Sequence, residues 1–188
     1  MKIPVAALSH VRERLARAGA RCDQPSALEE NWVLDDPVRT LAGSGRLLRV
    51  RRTGDRAWLT LKEAASFSGG VKSRVEIETS VGNPETVLAV LGGLGFRPVR
   101  RYQKRREVWT LGAVVVALDE TPMGEFVELE GPAEILPGAA TALALDPKAA
   151  VLGTYLDLWV AYRGHHPDAP AEMVFSDPGG PAADRKAP

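Results

Sequence analysis

Apolar positions recur along this chain with two different periods, and the change from one to the other lays out its elements. Between Pro4 and Gly19, Leu8, Val11 and Leu15 fall at helical spacing while Arg12, Glu13, Arg14 and Arg17 take the other face; this predicts a first helix closed by Gly19. A second helix is predicted over 84–94, because Asn83 suits the N-cap, Pro84 the first turn, and Gly95 follows the last apolar position. Val151, Leu152, Tyr155, Leu158 and Trp159 form an apolar stripe that predicts a third helix within 147–162. Elsewhere the period drops to two. Residues 32–35, 46–52, 57–63, 72–80, 99–110, 113–119 and 125–130 read as strands separated by Gly, Asp or Pro, hence an antiparallel sheet with a few covering helices.

Successive strand side chains point to opposite faces, so parity sorts the charges. Arg49 and Arg51 share a face, as do Thr60 with Lys62, Arg74 with Glu76 and Glu78, Lys104 with Arg106, and Glu128 with Glu130. The opposite faces carry Leu48 and Val50, Leu59 and Leu61, Val75 and Ile77, Val127 and Leu129. Alternation alone does not say which face is inside, and an amphipathic sheet with a wet charged side gives the same pattern. The three amphipathic helices can cover the apolar sides from outside, which would close the sheet around a polar lumen. Like charges buried together are costly unless offset, so such a lumen implies a polyanion and a divalent cation as partners. Arg and Lys suit phosphate oxygens, and clustered carboxylates suit Mg²⁺ or Mn²⁺.

Composition narrows the classes. A length of 188 residues fits one domain, and 24 Lys plus Arg against 24 Asp plus Glu give no bulk attraction to nucleic acid or to an anionic membrane. Cys22 is the single cysteine and has no ligand-type neighbours, so neither a disulfide nor zinc is expected. No apolar run approaches the roughly 18 residues of a membrane span, and Met1-Lys2-Ile3-Pro4 does not begin a signal peptide, so a cytoplasmic protein is expected. The proline-containing end, 177–188, reads as a disordered tail behind a single domain over 1–176. Ser66-Phe67-Ser68-Gly69-Gly70 lacks the Gly-Lys-Ser/Thr ending of a P-loop and reads as a strand connection at the mouth of the lumen. His165, His166 and Asp168 read as a solvated turn, and Trp32, Trp58, Trp109 and Phe67 as packing residues that could border an organic substituent.

The ordered series of strands resembles the CYTH superfamily, the triphosphate tunnel metalloenzymes, which includes class IV adenylate cyclases, thiamine triphosphatases and inorganic triphosphatases. Leu48-Arg49-Val50-Arg51 is similar to the family's paired-arginine strand, and Leu59-Thr60-Leu61-Lys62 to its lysine strand. Arg74-Val75-Glu76-Ile77-Glu78 is similar to its R-x-E-x-E, Lys104-Arg105-Arg106 to its K-x-R, Leu118-Asp119 to its single aspartate, and Gly124 to Glu130 to its G-x-F-x-E-x-E. The resemblance runs from residue 2 to about 160. It implies an α+β fold: a closed, eight-stranded antiparallel barrel with a charged lumen and a few helices outside. It further implies phosphate contacts from Arg49, Arg51, Lys62, Arg74, Lys104 and Arg106, metal ligands Asp119, Glu128 and Glu130 for Mg²⁺ or Mn²⁺, and Lys2, Glu76 and Glu78 as the catalytic group.

The activity so implied is metal-dependent hydrolysis of a triphosphate such as tripolyphosphate, thiamine triphosphate or ATP. The alternatives are a class IV cyclase making cyclic AMP from ATP, and a polyphosphate-binding module without turnover. One departure stands out. The family's opening strand carries E-x-E-x-K, and in a chain that starts Met1-Lys2 only Lys2 has a counterpart. A start codon a few residues upstream is expected; a genuine start would favour the binding module. The oligomeric state stays open between monomer and homodimer.

Overall fold

Of the 188 residues, the computed structural model describes 1–68 and 71–176, the side chains of 66–68 and 71–73 excepted. In chain order the elements are β1 (Lys2–Val5), α1 (Leu8–Arg17), β2 (Arg21–Asp35), α2 (Thr40–Gly43), β3 (Leu47–Thr53), β4 (Arg56–Lys62), β5 (Ser66–Ser68), β6 (Val71–Ser73) and β7 (Glu76–Val81). There follow α3 (Pro84–Gly93), β8 (Arg97–Leu111), β9 (Val114–Thr121), β10 (Gly124–Glu130), α4 (Leu136–Ala142), a 3-10 turn (Pro147–Ala149) and α5 (Tyr155–His165). Eight strands make one antiparallel sheet in the order β1-β10-β9-β8-β2-β3-β4-β7, while β5 and β6 pair as a separate hairpin.

Seven of these eight strands coincide with the runs expected from the alternation, β1 being the addition, and the eight-stranded antiparallel sheet is the one the family resemblance implies. Closure differs. β1 and β7 stand at the two ends of the order, so no strand pair seals the barrel. The reason lies at the outer edge of β1, where the Lys2 carbonyl accepts from the Val151 N–H at 2.8 Å. The connection leading into α5 therefore occupies the edge to which β7 would have to pair.

Several boundaries also move. β2 begins at Arg21 rather than at Trp32; the pairing with β8 carries it through Asp23, Pro25 and Ser26, poor strand formers that, with register shifts at Cys22/Gln24 and Gln24/Ala27, mask the alternation there. The strand expected over 72–80 breaks after Ser73 and resumes at Glu76. The third helix starts late: Gly153 adopts φ +102, a conformation that favours glycine, and Thr154 then caps α5 in a reciprocal box with Asp157. Leu152 is thereby left exposed instead of lying in the apolar stripe.

The main core lies on the outer face of β1, β9 and β10. Ile3, Val116, Leu118, Val127 and Leu129 meet Leu8, Val11 and Leu15 of α1, with Ala140 and Leu143 of α4 and its end. Each fully buried aliphatic side chain there contributes about 1.5–3 kcal/mol. Among the described residues the outer face of β7 has no such cover: Ile77, and Val75 just before the strand, are 60% and 64% exposed. The missing cover follows from where α5 goes. Its Tyr155 and Trp159 pack with Phe126, Met173 and Tyr102, and Phe126 shares the face of Glu128 and Glu130, so α5 plugs the inner side of the sheet. The tail expected over 177–188 and the Gly69-Gly70 end of the expected mouth connection lie outside the described residues. Among the described residues no helix is long and apolar enough to cross a membrane.

Candidate functional site

Strand parity aims the charges of six strands into one cavity of about 490 Å³. Lys2 comes from β1, Arg49 and Arg51 from β3, Lys62 from β4, Glu76 and Glu78 from β7, Lys104 and Arg106 from β8, and Glu128 and Glu130 from β10. Arg74, just before β7, joins them, and Leu47, Tyr102 and Gly153 to Leu156 complete the wall. Every residue singled out from the sequence lines this cavity except Asp119. On the wall, seven cations (Lys2, Arg49, Arg51, Lys62, Arg74, Lys104, Arg106) face four carboxylates (Glu76, Glu78, Glu128, Glu130).

Asp119 lies behind the wall, fully buried. Its Oδ1 accepts from Arg106 Nε at 2.7 Å, and its Oδ2 accepts from Arg106 Nη2 at 2.5 Å, Lys104 Nζ at 3.2 Å and the Tyr155 hydroxyl at 2.6 Å. Burial pushes this carboxyl up, but Lys104 and Arg106 outweigh it and hold the group well below the usual carboxylate range. The Tyr155 hydroxyl is raised, by burial first and then by the Asp119 charge, so it remains a donor. Arg106 also pairs with Glu128, and Lys2 sits 3.3 Å from Glu128 Oε1 and 3.7 Å from the centre of the Tyr155 ring. Burial lowers the Lys2 and Lys104 ammonium groups despite these carboxylates.

The opposite wall is looser. Arg49 reaches Thr60 and the Tyr102 hydroxyl at 3.4 Å each, and Glu78 only at 3.8 Å. The Thr60 hydroxyl donates to Glu78 at 2.6 Å. Arg51 donates to Asn31 Oδ1 at 3.2 Å and lies 3.5 Å from Glu29, while Lys62 pairs with Glu76 across β4 and β7. Burial lowers the Lys62 ammonium group, and Arg51 is lowered by burial and by its neighbour Arg49. Arg74 spends its guanidinium on the carbonyls of Glu63, Gly45 and Lys62, which fixes the approach to β7. The Nε of Arg49 and Oε2 of Glu29 are buried without a hydrogen-bond partner.

These side chains do not assemble a resident metal centre. Among the described residues no group of three or more His, Cys, Asp or Glu comes together. Both oxygens of Asp119 are occupied by donors, and Glu128 is shared between Lys2 and Arg106.

Sequence reading missed Glu29 and Asn31, since Glu30 on the opposite face carries charge too and hides the alternation. Glu30 serves the outside, where Arg52, Arg101 and Gln103 donate to it; burial opposes them, yet its carboxyl falls to about 2. The part played by Tyr155 was also hidden, because its partner Asp119 lies 36 residues away in sequence. None of Trp32, Trp58 or Trp109 lines the cavity: the first two lie under Arg52 and Arg56, and Trp109 donates to Glu107 at 2.7 Å. The Phe67 side chain lies outside the described residues. His165 and His166 are exposed, and the His166 ring stacks on Tyr162 at 3.8 Å.

Comparison with known proteins gives one family and one fold. The sequence profile described as CYTH domain matches residues 23–135, more than half the chain, from β2 to the turn after β10. Among curated proteins, none matches significantly. Among solved structures, a putative adenylate cyclase from Vibrio parahaemolyticus superposes with a TM-score of 0.70 at 16% identity, covering 85% of this chain and 95% of that one. A Pyrococcus horikoshii OT3 protein gives 0.70 at 23% identity, covering 84% and 96%. A putative adenylyl cyclase from Hippeastrum, described as having a dominant triphosphatase activity, gives 0.64 at 17% identity, covering 88% and 94%. At these identities the likeness establishes the fold.

Proposed function

The chain belongs to the CYTH domain family, and from that premise we propose that its cavity binds a triphosphate and hydrolyses its terminal phosphoanhydride bond. The observation that carries this reading is the surplus of cations on a largely buried wall, with the Nε of Arg49 buried and unpartnered. Such a surplus is costly in the free protein and is offset by a bound polyanion. Arg49, Arg51, Lys62, Lys104 and Arg106 contact phosphate oxygens, Arg74 sets the approach to β7, and Lys2 meets negative charge at the inner end beside Tyr155. Glu76 and Glu78, on the open edge, orient the attacking water. Water adds to the terminal phosphorus as the bridging P–O bond breaks, leaving orthophosphate and the shortened phosphate chain. The work of these residues is positioning and charge stabilisation.

Asp119 acts here as a positioning residue that locks Lys104, Arg106 and Tyr155. Glu128 and Glu130 are the carboxylates on the wall that would hold Mg²⁺ or Mn²⁺ arriving with the substrate, and the ion would supply neutralisation of phosphate charge. The substrate is a small molecule, with no nucleic acid or membrane partner, and the setting is the cytoplasm.

The test is to incubate the chain with tripolyphosphate, thiamine triphosphate and ATP, each with Mg²⁺ or Mn²⁺, and to assay orthophosphate, pyrophosphate and cyclic AMP. Orthophosphate release supports the hydrolase. Pyrophosphate with cyclic AMP from ATP would make it a cyclase, binding without product would make it a binding module, and no binding of any triphosphate would sink all three.

A further inference from the structure

A second cavity, of about 140 Å³, lies between β8, α5 and the segment after α5, lined by Arg100, Arg101, Trp159, Val160, Arg163 and Met173 among others. Three of these are arginines, and the cavity contains no carboxylate in its lining. Arg101 pairs with Glu30 through Nη2, yet its Nε is buried without a partner. Among the described residues neither Arg100 nor Arg163 has an ion pair: Arg100 donates to the Val99 carbonyl at 3.1 Å and Arg163 to that of Ala169 at 3.4 Å. Trp159 is 4% exposed, and its indole N–H is also buried without an acceptor. One buried donor lacking an acceptor, the Trp159 indole N–H, and two exposed arginines lacking counter-charges thus line one small space, while Arg101 turns its guanidinium to Glu30 on the other face of β8. Buried donors are paired in the great majority of native structures, so a group of this kind calls for an acceptor.

We propose that this cavity is a second anion site, separate from the charged tunnel cavity, and that it takes a small tetrahedral oxyanion of orthophosphate size. The volume equals that of about four to five waters at about 30 Å³ each, which suits five heavy atoms and excludes a triphosphate. The chemistry matches as well. An oxyanion accepts from guanidinium forks and from an indole N–H at once, whereas a cation or an apolar ligand would leave these donors unmet. The site joins the tunnel cavity through one element: Leu156 lines both, next to Tyr155. An oxyanion between Arg100 of β8 and Arg163 of α5 holds the plug helix against the sheet. This inference does not depend on what the tunnel cavity does.

Calorimetric titration of orthophosphate, with sulfate as a second probe, into the full chain tests it. Arg163→Ala and Arg100→Ala each remove one donor of this site, and Arg49→Ala disables the tunnel cavity instead; thermal melting of each variant confirms that it is folded. The expected result is binding by the unmodified chain and by Arg49→Ala, weakened at least about tenfold in Arg163→Ala and in Arg100→Ala. The proposal is overturned by unchanged affinity in both arginine variants, by loss of orthophosphate binding in Arg49→Ala, or by no binding up to about 10 mM. Tripolyphosphate cleavage assayed on the same samples separates the two ideas: a chain that binds orthophosphate here without cleaving tripolyphosphate sinks the hydrolase reading and leaves this site standing.

Discussion

The two walls of the tunnel cavity carry similar charges and are built differently. On the wall of β1, β8, β9 and β10, every cation has a carboxylate: Lys104 and Arg106 share Asp119, and Lys2 and Arg106 share Glu128. That wall is backed by the main core under α1 and α4 and is plugged from inside by Tyr155. On the wall of β3, β4 and β7, contacts stretch to 3.4–3.8 Å around Arg49, Glu78 is 42% exposed, and the strand behind it is a bare edge with exposed Val75 and Ile77. One wall is preorganised and the other is free to adjust. The same residue types therefore serve stability on one side and ligand capture on the other, and substitutions should separate the two.

The largest effect is expected from Asp119→Asn. It leaves Lys104 and Arg106 buried without their main counter-charge, which should cost about 3–5 kcal/mol and lower Tm by roughly 10 °C in a chain of this size. A melting curve close to that of the unmodified chain would show that the rigid wall is no more dependent on pairing than the loose one. Next comes Arg51→Ala, which removes a cation from the adaptable wall and relieves its repulsion of Arg49. Tripolyphosphate affinity should fall by roughly ten- to a hundredfold, from about 1.5–3 kcal/mol for hydrogen bonds to a charged group, with a smaller loss of Tm than in Asp119→Asn because Lys104 still stands 3.6 Å from Glu29. A matching loss of Tm and affinity would erase the distinction.

Smaller, and readable on the unmodified chain, is the pH dependence. Lys2, Lys62 and Lys104 titrate below 10.5 because they are buried. Between those lowered values and 10.5 the unfolded chain holds more protons, so these lysines contribute stability that rises with pH in that window. A bound polyanion favours the charged ammonium groups, so triphosphate binding should take up protons and weaken as pH rises through the lowered values. Calorimetry at alkaline pH in buffers of different ionisation heat measures the uptake; binding independent of buffer would contradict it. Asp119 and Glu128 act with the same sign in an acidic window: their stabilisation is present above the ordinary carboxylate range and is lost as pH falls through their lowered values. The smallest effect is expected from Ile77→Thr on the bare outer face of β7, within about 0.5 kcal/mol. A larger drop in Tm would mean that this face is covered in solution.

How much of this was legible depended on the range of the interaction concerned. Parity in single strands placed Arg49 beside Arg51 and Glu128 beside Glu130, because a strand face is a local property. The outer cover of β9 and β10 was legible for the same reason, from the stripe Leu8, Val11 and Leu15. What stayed hidden depends on distant pairing. The edge of β1 is taken by Val151, α5 turns into the lumen because Gly153 and Thr154 redirect it, and Tyr155 meets Asp119. Glu29 and Asn31 were lost to a different cause: β2 is charged on both faces, since Glu30 holds Arg52 and Arg101 outside while Glu29 faces Lys104 inside.

The clasp between Lys2 and the segment entering α5 sets a timetable for synthesis. The Lys2 ammonium donates to the Gly153 carbonyl across 151 residues, and the Met1 amino group reaches the Leu129 carbonyl across 128. A chain leaving the ribosome can form β2, β3 and β4 early, and with them the adaptable wall. The preorganised wall and its plug must wait until nearly the whole fold has emerged, so a nascent chain presents loose cations well before it presents a finished pocket.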